Sequence, residues 1–548
     1  MASSRAAPSR TPVGTVLWEP SAQRVAEASV TRFQDWLAQD HGVSFAERTG
    51  LARWSVTQPG PFWDAVWEFC AVEGDRGDGP ALTGTGLADA RWFTSARVNY
   101  AENALSRRGP APAIIAVRED GVTTVVSWDE LRRQVARAAA GLRRLGVGPG
   151  DRVAAVLPSG AQAVVAMLAS ASLGAVWACG PPELGLADIA DRFAPITPKV
   201  LIGVDGYTRE GQVFDSVQSL ADLARRLPNL AATVVVPYLA ADALTRAAQA
   251  RTPALTSWDD LLAATEDLAW ARLPFDAPLW IQFSSPDTGV AKPVVHGHGG
   301  ILLEHLKSLV LHLDLGPDDR FCWLATTGEA TWNLLVSGLL TGSAIVLYDG
   351  SPARPDLSIL WRLAEAVEVT CLGLPASFVE ACHGSGLVPA SVADLSLLRT
   401  VAAFGSPFTP DAAAWVYETV SPSVAFSAMS GGGDLGAPTI AALPTAPVRA
   451  GEAGAALGCA VAVVDPAGYP ARGPADVDGE LVVTMPMPSM PLFVWGDPAG
   501  SWLFQTRLAR FPGWWSQNEY ARLTPSGAFA VGNVLYPTLL PSGVRAGY

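Results

Sequence analysis

Apolar residues recur at helical spacing over 22–40, and a Trp-rich pair of segments follows over 44–72 with Trp54, Trp63 and Trp67. This region reads as an N-terminal cap of its own. From about 113 the pattern alternates. AIIAVRED, a turn at Asp120-Gly121 and VTTVVSW read as a hairpin, because an Asp-Gly pair supplies the positive φ of a tight turn. A helix is predicted over 128–145, ended by Gly146, and Gly148-Pro149-Gly150-Asp151 leads into the apolar strand RVAAVLP. Helix, short glycine loop and apolar strand recur near 161–180 and 216–237. Strands apolar on both faces, alternating with helices, belong to buried parallel sheets under helical layers. A second α/β stretch is expected over about 280–440, with strands near 278–284, 343–348 and 369–373. Over 450–530, AALGCAVAVVD and GELVVT between Gly and Pro turns point to a small β-rich subdomain.

The most apolar run, 153–179, is interrupted by Pro158, Ser159 and Gly160, so it reads as strand, turn and buried helix rather than a membrane span. With 548 residues, 49% of them hydrophobic and only 16% charged, the chain can bury a large core and is not disordered. Its net charge of −14 argues against nucleic acid or an anionic membrane as partner. Six cysteines lack CxxC spacing, which fits reduced thiols in the cytoplasm and gives neither a zinc site nor a disulfide framework. Residues 1–14 contain arginine but no apolar core, and read as a loose tail. Only Lys199, Lys292 and Lys307 are lysines.

Candidate chemistry concentrates in 280–300, WIQFSSPDTGVAKPVVHGHGG. An apolar strand running into a Ser/Thr/Gly loop can surround phosphate oxygens with backbone N–H groups. The segment matches neither common phosphate-loop spacing, and an ordinary polar β-turn fits it equally well. His298-Gly299-Gly300 and Ser430 in its glycine-rich turn superficially suggest an esterase. That fold needs a histidine after the nucleophile, whereas the last histidine is His383 and position 428 is Ala. His296 and His298 read as capped loop histidines rather than metal ligands. Glu304, His305 and His312 on a predicted helix are expected to face solvent or satisfy core polar groups.

The chain resembles the adenylate-forming acyl-CoA synthetases, and within them the acetoacetate–CoA ligases. The resemblance rests on LWEPSAQRVAEASVTRFQDWL, VVHGHGGILLEHLKSLVLHLDLGPDDRF, TWNLLVSGLLTGSAIVLYDGSPARPD, PVRAGE and MPMPSMP. It covers about 15–548 and implies joining of a short acid to AMP, with ATP and magnesium, followed by transfer to CoA. The family's phosphate loop maps to Ser284, Ser285, Thr288, Gly289 and Lys292, with Pro286 where the family has Gly and Asp287 where it has Thr. Proline removes a donor and fixes φ; the carboxylate opposes a triphosphate at a cost of about 1–4 kcal/mol. The next signature maps to Ser430-Gly431-Gly432-Gly433-Asp434, in which Asp434 matches the magnesium acid and Gly433 replaces Thr. The adenine-contacting stretch maps to Gly405 and Ser406. The ribose-binding acid maps to Glu519, and the hinge maps to Gly532-Asn533-Val534-Leu535 without its Arg and Asp. Trp332 and Asn333 map to the acid-pocket wall, beside which Glu329 is a new titratable group. Buried, it would serve as a general acid or base; exposed, it is a loop carboxylate.

The expectation is an α/β protein. It has a large adenylation-type domain of two layered α/β subdomains (111–280 and 281–445), preceded by a cap (15–110). A β-rich subdomain (446–530) and a hinge remnant (531–548) follow. The family's mobile, lysine-bearing C-terminal domain is expected to be absent, since no lysine follows Lys307. The expected function is binding or transformation of a small acyl or oxo-acid in a pocket of Trp332, Asn333, Glu329, Ser430 and Gly431, with Glu329 and Lys292 the candidate catalytic groups. ATP and magnesium take part only if family activity is retained. The alternatives are acid activation alone, with or without a separate protein partner, and an inert interaction subunit.

Overall fold

The structure is a computed structural model. It describes residues 11–534 except Arg48, Thr265, 285–290, 406–407, Gly432, 472–475 and Pro498, together with the short strands Thr538–Leu539 and Arg545–Ala546. Two large sheets organise the chain. One has eight strands, in the spatial order Leu255–Ser257, Ala232–Val236, Val200–Val204, Arg152–Val156, Val176–Gly180, Pro278–Phe283, Pro293–Gly297 and Phe493–Val494. The other has seven: Ala425–Met429, Thr400–Phe404, Cys371–Pro375, Arg320–Trp323, Ala344–Asp349, Pro112–Arg118 and Thr123–Ser127. The central strands of both are parallel and buried on both faces, as their Val, Ile, Leu and Ala runs require.

The two sheets do not divide the chain as the sequence pattern suggested. The hairpin expected to open the first α/β stretch (112–118 and 123–127, turning at Gly121 with φ +85°) pairs with Ala344–Asp349 in the second sheet. The strand expected to open the second stretch, Pro278–Phe283, lies in the first sheet beside Val176–Gly180 and pairs antiparallel with Pro293–Gly297. Register in a two-sided buried strand is set by tertiary partners, which local patterning does not reveal.

Helices Trp128–Arg144 and Ala161–Ser172 pack in a core that draws side chains from both sheets, including the fully buried Trp128, Trp177, Trp280 and Trp332. Each such side chain contributes on the order of 1.5–3 kcal/mol by leaving water. Helix 128–144 starts where Ser127 accepts the Glu130 N–H (3.2 Å).

The N-terminal aromatics form no separate cap. Phe33, Phe62, Trp63 and Trp67 share one core with Leu302, Leu303, Leu306 and Leu311, on helix His298–Leu306 and the wider π-type turn Lys307–His312 that continues it. The expected helix 22–40 is two helices, Ala22–Glu27 and Ser29–Asp40, broken at the extended Ala28. Strands Val461–Val464, Val477–Val483, Trp515–Leu523 and Phe529–Val534 make a four-stranded antiparallel sheet. Its last strand includes Gly532 and the backbone of Asn533 and Val534, so the expected hinge positions up to 534 continue a β-ladder.

Candidate functional site

The carboxyl ends of the second sheet's strands, the end of Pro278–Phe283 and the strand Trp515–Leu523 surround a cleft of about 560 Å³. Crevices at the carboxyl ends of parallel strands are where open α/β sheets place ligands. Ser284, Gly405, Ser430, Gly431, Asp434, Glu519 and Glu329, seven of the expected site residues, all line this cleft.

Gly431 sits where only glycine fits. Its φ is +86°, and a Cβ there would lie 2.1 Å from Thr439 Oγ1 and 2.7 Å from Gln517 Oε1. The turn brings the Ser430 hydroxyl to Glu519, donating to Oε2 at 2.8 Å. Burial pushes the Glu519 carboxyl above the usual carboxylate range, opposed by the Ser430 hydroxyl, the Gly431 N–H and Arg507. Asp434 forms an ion pair with Arg507, from the turn Phe504–Leu508 that precedes the Glu519 strand, and both side chains are largely buried.

That pair decides whether Asp434 can hold a divalent cation. Its charge is already neutralised by a guanidinium, and position 433 offers no hydroxyl. Magnesium keeps several waters and binds through one or two carboxylates plus substrate phosphates. At Asp434 it would therefore compete with the Arg507 guanidinium for the carboxylate.

On the opposite wall, Gln282 accepts from Asn333 Nδ2 (3.0 Å) and donates to the Gly328 carbonyl. Ser284 closes the base of the candidate phosphate loop. Its N–H donates to the Lys292 carbonyl (2.9 Å), and its hydroxyl accepts the Lys292 N–H (3.0 Å). Ser285, Thr288 and Gly289 of that loop, with Pro286 and Asp287, lie outside the described residues, as do Ser406 and Gly432. Lys292 is half-buried and is not a wall of the cleft.

Four expectations change. Trp332 is wholly buried, donates from Nε1 to Ser159 Oγ (3.2 Å) and does not line the cleft, because the helix Ala330–Val336 packs that face into the core. Asn333 acts one step back, through Gln282. Glu329 is exposed and accepts from the Thr326 N–H (3.2 Å) and the Thr331 hydroxyl (3.3 Å). The burial on which its acid–base role depended is absent. Nor are the histidines loop caps: His296 lies within a strand, His298 opens a helix, and both are fully buried, as are His305 and His312.

Sequence reasoning missed Arg507 and the aromatic walls Trp323, Trp502 and Trp515. Arg507, one of two arginines in WLFQTRLARFPGWW, carries no spacing signal, and its partner lies 73 positions away.

Comparison with known proteins identifies the family. Residues 101–490 match the model of the AMP-binding enzyme family. The acetoacetyl-coenzyme A synthetase of Rhizobium meliloti is 39% identical over 97% of this chain and 81% of its own length. The malonamoyl-CoA synthetase of Penicillium aethiopicum is 31% identical over 97% and 76%. The solved acetoacetyl-CoA synthetase of Streptomyces lividans superposes with a TM-score of 0.88 at 42% identity, over 94% of this chain and 80% of that one. The chain belongs to the AMP-binding enzyme family, among relatives named acetoacetyl-CoA synthetases.

Proposed function

We propose that this member of the AMP-binding enzyme family holds a short acyl or oxo-acid ligand in the cleft beside Ser430 and Glu519, and neither activates an acid with ATP nor joins it to CoA. The Asp434–Arg507 ion pair carries this reading, because it uses the carboxylate that the family resemblance assigns to magnesium. Gly433, Pro286 and Asp287 weaken the same phosphate contacts by their chemistry. The relatives' names, acetoacetyl-CoA and malonamoyl-CoA synthetase, support a small acyl ligand. Ser284, Gly405 and Glu519 would line the nucleotide side of the cleft, and Ser430 and Gly431 the acyl side.

The six cysteines, none of them disulfide-bonded, support a cytoplasmic setting. No helix among the described residues is long and apolar enough to cross a membrane.

ATP–pyrophosphate exchange tests the proposal, with acetoacetate and malonamate as acids. The expected result is no exchange above background. Exchange would overturn it in favour of a second reading, acid activation alone, which the hydrogen-bonded Ser284–Lys292 loop base favours.

A further inference from the structure

A second cavity lies beside the cleft, and its charge is compensated differently. It measures about 160 Å³ and shares the wall Leu324, Glu329 and Pro375 with the larger space. Strands of both sheets end at it, Tyr348 and Asp349 from one side and Pro158 and Pro181 just beyond strand ends on the other. Its charged lining is Glu183, Glu329 and Asp349 against Arg209 alone. Arg209 Nη1 lies 3.9 Å from Glu183 Oε1 and donates to the Gly350 carbonyl at 3.1 Å. Asp349 is 9% exposed; Tyr238 holds its Oδ2 (2.5 Å), and Oδ1 accepts from no donor among the described residues.

We propose that this cavity is a binding site for a small primary ammonium ion. The net negative lining attracts a cation and repels carboxylate and phosphate ligands. Among the described residues no three His, Cys, Asp or Glu side chains converge closely enough to hold a metal. The negative charge is spread instead over a volume that an organic cation of a few heavy atoms fills. An ammonium head has three donors, for which Asp349 Oδ1, Glu183 and the Ser159 and Thr326 hydroxyls are acceptors on the lining. Ammonium binding here does not depend on what occupies the larger cleft.

Asp349 makes the site sensitive to pH. Burial and the Glu183 charge push its carboxyl up to about 6, against the pull of Tyr238, Arg118 and Arg209, and Tyr348 also adjoins it. Acidification through that value removes the charge and weakens the hold on a cation.

Isothermal titration of the full chain at about pH 8, where an alkylammonium is still charged, tests the proposal. Ethylammonium chloride is the probe, with ethanol and sodium propionate as neutral and anionic controls at constant ionic strength. Saturable ethylammonium binding is expected, without it for either control. Asp349→Asn or Glu183→Gln should weaken it about tenfold or more, and it should fade at about pH 5. Glu183 is exposed, so Glu183→Gln keeps the test decisive if Asp349→Asn does not fold. Absence of saturable ethylammonium binding, equal binding of ethanol, or unchanged affinity in Glu183→Gln would overturn the proposal.

Discussion

Two carboxylate–cation pairs in this chain sit in opposite surroundings. Glu304 and Lys307 are 3.0 Å apart, both wholly buried, where the helix from His298 passes into its π-type turn, with the Trp63 ring 5.9 Å from the ammonium. Asp434 and Arg507 meet at the wall of a cleft that opens to solvent. The interior pair ties the N-terminal aromatic layer to the sheet core and has no access to a ligand. Removing one partner there strands a charge in a dry interior, whereas water and ligands can answer for a lost partner in the cleft. A carboxylate–cation pair is thus enclosed in the core in one region and faces a cleft in the other.

The largest expected effect comes from acidifying the interior. Burial pushes His296 and His305 down to about 4, and His298 and His312 down to about 3. The unfolded chain takes up these protons first, near the ordinary histidine value of about 6.5. Stability is then flat above that pH and falls below it by about 1 kcal/mol per histidine per pH unit. A melting temperature unchanged between about pH 7 and pH 5 would contradict this assignment.

Next comes the interior pair. Lys307→Met alone should cost about 3–5 kcal/mol in urea unfolding, and adding Glu304→Leu should recover most of it. Equal losses in the single and double variants would remove the distinction between the regions. Smaller still is Arg507→Ala, at about 1–2 kcal/mol, accompanied by tighter magnesium binding at Asp434. Loss of the stability without any gain of metal binding would make that pair structural too. Smallest is Glu329→Gln, an exposed change within about 0.5 kcal/mol that leaves acid binding in the cleft unaltered.

Much of this was legible in the sequence, and the gaps have a common cause. The helix 128–144, the hairpin about Asp120-Gly121 and the strands at 152–156, 232–236 and 344–349 follow from local periodicity. Gathering Ser430, Asp434 and Glu519 in one cleft followed from family resemblance. Sheet membership was not legible, because a strand apolar on both faces does not say which neighbour it joins. Nor was Arg507, which acts through a partner far along the chain, or the inward turn of Trp332 toward Ser159. Burial of Lys307 and Glu304 was hidden as well: two charges three positions apart normally mark a solvated helix face.

The central claim is that Arg507 holds the carboxylate a magnesium nucleotide would need. Isothermal titration with magnesium–ATP measures this most directly, comparing the natural chain with a variant carrying Arg507→Ala and Asp287→Thr. The account predicts no saturable binding by the natural chain and binding in the double variant. Micromolar binding by the natural chain would contradict it.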